Sequence, residues 1–169
     1  MAKEKMAKEN ASPDRALRDQ LVRLLKSGEA HAPFETAVKD LSFEAQGRVP
    51  EGAEHSAWQL LEHLRIAQRD ILEFSKDARH ESPKWPDGYW PKKPEPPDAK
   101  AWAKAAAAYE KDRDAFCAMI SDERKDLFAK LPHGDGQTLL REALVLADHN
   151  SYHIAQIVLL RRLLGDWKD

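Results

Sequence analysis

The sequence predicts an all-α protein, a four-helix bundle with a long proline- and aromatic-rich loop between its second and third helices. Three observations carry this: four segments repeat apolar residues at helical spacing, no stretch alternates as a strand would, and there is no internal repeat. At 169 residues, 42% hydrophobic and 33% charged, the chain is long enough to bury one core and requires no second domain. Residues 13–169 are expected to form that single domain behind a flexible tail, 1–12.

Ser12 and Pro13 read as an N-cap followed by proline at the first helical position. Leu17, Leu21, Leu24 and Leu25 then recur at helical spacing up to Gly28, so the first helix spans about 13 to 27. A shorter helical piece, about 34 to 43, follows Pro33, and Pro50 and Gly52 mark 47 to 54 as loop. Ser56 and Gln59 have the S-x-x-Q form of a capping box, which satisfies orphan N–H groups at the start of a second helix, about 56 to 79. Pro83, Pro86, Pro91, Pro94, Pro96 and Pro97, with Trp85, Tyr89 and Trp90, exclude helix and central strand from 81–98. Three large aromatics argue against a floppy linker, so this segment is expected to be strapped over the bundle. Asp98 is expected to cap an alanine-rich third helix, about 99 to 120, and Ser121 to open a short one to about 131. A last long helix, about 137 to 164, stops at Gly165.

Composition excludes several functions. Lys+Arg (27) nearly balances Asp+Glu (29), so no basic field gathers a phosphate backbone and no nucleic-acid partner is expected. No apolar run approaches the roughly 20 residues of a spanning helix, and the first ten residues lack the apolar middle of a secretion signal. The expected location is the cytoplasm, with no membrane partner. Cys117 is the single cysteine, which excludes an internal disulfide and a multi-cysteine zinc site and reads as a small buried side chain.

Three histidines stand out against this background. In the second helix Leu60, Ala67 and Phe74 project within about 60° of His63, so its ring points along the buried stripe. In the last helix His149 and His153 are four residues apart on one face, and Leu146, Leu160 and Leu164 project the same way. A single inward histidine is ordinarily a hydrogen-bonded core residue; three in one core would charge and repel below about pH 6.5 unless a cation holds them neutral. Two related metal sites are excluded by the letters. Asn150 follows His149 where a zincin requires glutamate, and Leu60, Leu146 and Asn150 occupy the positions where a carboxylate di-iron site requires E-x-x-H. Three imidazoles suit Zn or Ni foremost, with Fe, Co or Mn as alternatives, and leave a coordination position open.

In the order and helix placement of these marks, His63 within Trp58-Gln-Leu-Leu-Glu-His63 and the H-x3-H of His149 and His153, the chain resembles the DinB-like superfamily. This superfamily includes the DinB and YfiT proteins and certain bacterial thiol transferases. The resemblance runs from about Leu17 to Leu164. It implies a four-helix bundle, a divalent metal held by His63, His149 and His153, and usually a homodimer. For members with known chemistry it implies activation of water or of an external low-molecular-weight thiol.

Other residues are candidates for supporting roles. Asp70, Glu142 and Gln156 lie near the same faces as the histidines and are candidates to orient them; a helix–helix salt bridge competes for Asp70 and Glu142, and a core hydrogen bond for Gln156. Trp85, Tyr89 and Trp90 are candidates for an aromatic lid, against packing of the loop on the bundle's flank. His55 and Trp58 stand near the expected entrance, against a surface histidine and a core tryptophan. His31, His80 and His133 are expected to be solvated. Three functions stay open: an enzyme acting on a small-molecule substrate, a non-catalytic metal or small-ligand binder, and a dimerisation or structural module in which the metal only staples two helices.

Overall fold

A computed structural model describes residues 12–167; apart from Ser12, the expected tail lies outside the described residues. Among them are six helices and no strand. Helix α1, Pro13–Ser27, is capped by Ser12, whose Oγ accepts from the Arg15 N–H at 3.2 Å, and ends at Gly28 in the left-handed region (φ 67°). The expected piece at 34 to 43 is two short helices, α2 (Phe34–Val38) and α3 (Phe43–Gly47). Lys39 is extended and Asp40 adopts a positive φ of 55°, so the backbone reverses between them.

Helix α4, Ala57–Lys76, begins with the capping box that the sequence announces. Ser56 Oγ accepts from the Gln59 N–H and Gln59 Oε1 from the Ser56 N–H, both at 3.1 Å. The same two side chains hold the proline-rich loop: Ser56 Oγ–H donates to the Pro94 carbonyl at 2.6 Å and the Gln59 amide to that of Pro91 at 3.1 Å. The helix stops three residues short of the expected 79, because the Asp77 carboxylate accepts from the Arg79 N–H at 2.9 Å and closes a turn there.

Helix α5, Ala101–Ser121, starts later than expected. Asp98 stands outside it, its carboxylate taking the Lys100 N–H at 2.7 Å and its carbonyl that of Ala101. The short helix expected at 121 to 131 does not form. The buried Arg18 donates to the carbonyls of Ile120 (2.7 Å), Asp122 (3.2 Å) and Lys125 (2.6 Å), acceptors that a continuing helix would use itself. The Asp122 and Asp126 carboxylates close successive turns onto the Arg124 and Phe128 N–H groups, and Leu127 is fully buried beneath them. Helix α6, Leu139–Leu163, is capped by Thr138 Oγ1 and followed by Gly165 at φ 72°.

The four long helices pack in a ring in the order α1, α5, α4, α6, while α2 lies against α6 and α3 against α4. Two apolar clusters fill the ring. One gathers Phe34, Trp58, Leu61, Tyr109 and Ile157; the other Leu21, Leu72, Phe116, Ile120 and Leu146. Between them lies a buried polar layer: the Gln68 amide donates to the Tyr109 carbonyl at 2.6 Å, and the Asn150 amide to Gln68 Oε1 at 3.2 Å. Among the described residues no helix is long and apolar enough to cross a membrane.

Candidate metal centre

Helical phase places His63 on the inner face of α4, and the packing of α6 alongside brings His149 and His153 to it. Ring centroids lie 5.0 Å apart for His63 and His149, and 4.6 Å apart for the two other pairs. One ring nitrogen from each falls within 4.8 Å of those of the others. His63 and His153 are buried, 3% and 8% exposed, and His149 is half-buried.

Two of the rings are fixed by the hydrogen bond that each makes on its far side. His63 Nδ1–H donates to the Tyr89 carbonyl at 3.1 Å, and His153 Nδ1–H to Gln156 Oε1 at 2.6 Å. Each acceptor determines the tautomer, so each ring presents a bare Nε2 lone pair to the centre. His149 Nε2 stands 3.1 Å from His63 Nε2, while the buried His149 Nδ1 has no hydrogen-bond partner. With the proton on Nδ1, a buried donor is unsatisfied and two lone pairs face each other. With it on Nε2, a buried acceptor is unsatisfied instead. A cation accepting both lone pairs removes the opposition, and 3.1 Å matches the separation of two nitrogens each about 2.0–2.1 Å from one ion.

The electrostatics point the same way. Burial pushes the His63 and His149 imidazoles down to about 4 and lowers His153 as well; for His149 the next contribution is the neighbouring His153. All three are therefore neutral at pH 7, the form in which imidazole binds metal. Three converging, neutral imidazoles, two of them fixed in one tautomer, fit a divalent transition metal.

The proline-rich loop reaches this centre through two adjacent residues. Trp90 lies flat on His63, centroids 3.8 Å apart and planes at 4°, and its indole also stacks on His55 at 4.0 Å. Tyr89 contributes its carbonyl to His63, while its hydroxyl donates to Asp70 at 2.5 Å. Burial raises the Tyr89 phenol to about 12, so it remains a donor. Trp85 is 67% exposed, and its ring contact is with Tyr89. Trp58 packs in the apolar core and forms no rim.

Of the three supporting candidates, Gln156 bonds one of the three central histidines directly. Asp70 acts at one remove, accepting from Tyr89 and from His80 Nε2 at 2.7 Å, and so anchors the loop that bonds His63. Glu142 is buried and takes Arg141 at 2.7 Å; it lines a separate cleft with Phe74 and Gln137. His31, His80 and His133, expected to be solvated, are part-buried and hydrogen-bonded, to Ser151 Oγ, Asp70 and the Phe74 carbonyl. The contribution of Tyr89 through its carbonyl carries no sequence signal, since every residue has one. Gln156 is legible from its spacing three residues beyond His153.

A family model described as the DinB superfamily matches residues 28–157, a span that includes all three histidines. Neither the curated proteins nor the solved structures give a significant match.

Proposed function

Given that the chain belongs to the DinB superfamily, we propose that it holds a divalent transition metal on His63, His149 and His153 and is a metal-dependent enzyme. It activates water or a low-molecular-weight thiol toward a small-molecule substrate. The observation that carries this reading is the convergence of three buried histidines, with the Nδ1 atoms of His63 and His153 already engaged. Such a metal supplies Lewis acidity, lowering the pKa of a coordinated water or thiol toward neutral. Imidazole donors favour Zn or Ni, with Fe, Co or Mn as further occupants.

The protein's own part is orientation and exclusion of water. Gln156 and the Tyr89 carbonyl hold two rings in one tautomer, and the carbonyl makes its ring more basic. Trp90 covers the face of His63 and keeps water from it. Among the described residues no carboxylate is hydrogen-bonded to the three rings, so three neutral ligands would leave the full charge of a dication in place. That favours a strongly acidifying centre with an open position over a closed structural site. Exposed Leu144, Val145 and Tyr152 along α6 support pairing of two copies as a homodimer.

Cobalt substitution tests the enzymatic reading. The visible spectrum of the Co(II)-loaded protein is expected to shift on addition of azide or a small thiol, because an open position exchanges its ligand. A spectrum indifferent to both would mark a closed sphere and sink the catalytic proposal.

A further inference from the structure

A cleft of about 330 Å³ adjoins the histidine group, between the loop before α4 and the last turns of α6. Buried Leu60 and Leu160 form its floor, exposed Leu159 and Leu163 its edge, and its rim carries the exposed carboxylates Glu51 and Glu54, with no lysine or arginine among its lining residues. Two further lining residues connect it to the centre. Gln156 bonds His153 at 2.6 Å, and His55 stacks on Trp90, which stacks on His63. An occupant of the cleft therefore lies one side chain from His153 and two from His63.

The chemistry of the walls describes that occupant. Leu159 and Leu163 are 55% and 57% exposed at the edge of a concavity, apolar surface that a hydrophobic body would remove from water. The volume falls at the small end of the range of about 300–1,000 Å³ typical of small-molecule sites. Two rim carboxylates, with no lysine or arginine lining the cleft beside them, attract a positive charge and repel a carboxylate or phosphate. We propose that this cleft binds the apolar, amine-bearing part of the substrate: a small molecule with a hydrophobic body and a protonated amino group. Its reacting group extends past Gln156 to the histidines. The role as a substrate subsite rests on the metal-dependent reading above; the binding itself does not.

The test is a nuclear magnetic resonance titration of the full-length protein with n-hexylamine, n-hexanol and hexanoate, each in metal-loaded and in chelator-treated samples. Hexylamine is expected to move the Gly52 and Gln156 amide signals in both samples and to bind several-fold more tightly than hexanol, with hexanoate weakest. Affinity should rise about three- to fourfold per methylene from butylamine to hexylamine, as for transfer of each CH2 from water. Leu159→Gln, at an exposed position, should weaken all three ligands about tenfold, and the Glu51→Gln, Glu54→Gln double variant should erase the preference for amine over alcohol. Hexanoate binding as tightly as hexylamine, or shifts untouched by Leu159→Gln, would overturn the proposal. Shifts confined to the metal-loaded sample would do the same, since the amine would then be a ligand of the metal. Metal content measured on the same samples scores the metal reading separately.

Discussion

Gln156 decides which nitrogen His153 offers. Its Oε1 can only accept, so the His153 proton is held on Nδ1 and the Nε2 lone pair faces His63 and His149. Gln156→Leu keeps the bulk and removes the acceptor. Metal affinity, measured by competition with a chromophoric chelator, is expected to fall about 10–100-fold; unchanged affinity would mean that the contact is only packing. The buried imidazoles also set a pH dependence in the metal-free protein. His63 and His149 titrate near 4 when folded against an ordinary 6.5, so between those values the unfolded chain binds more protons. The stability due to neutral histidines is present above pH 6.5 and is lost as the pH falls toward 4. The urea midpoint should therefore drop on going from about pH 7 to about pH 5, and drop less in His149→Gln. Equal drops in the two proteins would contradict the assignment. At this scale the three histidines and Gln156 were legible because helical period alone sets their faces. Glu142 was misleading because period fixes direction and leaves the partner open, and Arg141 is adjacent.

At the scale of elements, one residue joins the start of α4 to the proline-rich loop. Ser56 is fully buried; its hydroxyl accepts from Gln59 and donates to Pro94. Ser56→Ala removes the cap, about 1 kcal/mol, and leaves the Pro94 carbonyl without its donor, about 1 kcal/mol more. Thermal denaturation should show a loss of about 2 kcal/mol, near 4–8 °C in Tm for a chain of this size, whereas a loss below about 0.5 kcal/mol would mean that the loop is not held there. The capping box was readable because its partners are three residues apart. The turns at 122–131 were not, since the group that prevents a helix there is Arg18, 102 residues before Ile120. Equally, six prolines identify a loop but cannot say that Trp90 ends on His63, a placement set by the anchors at Asp70, Ser56 and Gln59.

At the scale of the molecule, the ring of α1, α5, α4 and α6 holds two apolar clusters apart by the Gln68 and Asn150 layer. The histidine group gathers where α4 and α6 run side by side. The fold class follows from periodicity and the missing alternation. That α6 lies beside α4 is a long-range fact carried by apolar complementarity, and it is this that turns three separate histidines into one centre. A metal bound there ties α4 to α6 and stabilises the folded state by mass action. The most direct measurement of the central claim is elemental analysis of protein purified without a histidine tag, beside its His149→Ala variant. The account predicts close to one transition-metal ion per chain in the parent and well below one in the variant. Equal metal content in the two, or none in the parent after incubation with zinc or nickel, would contradict it.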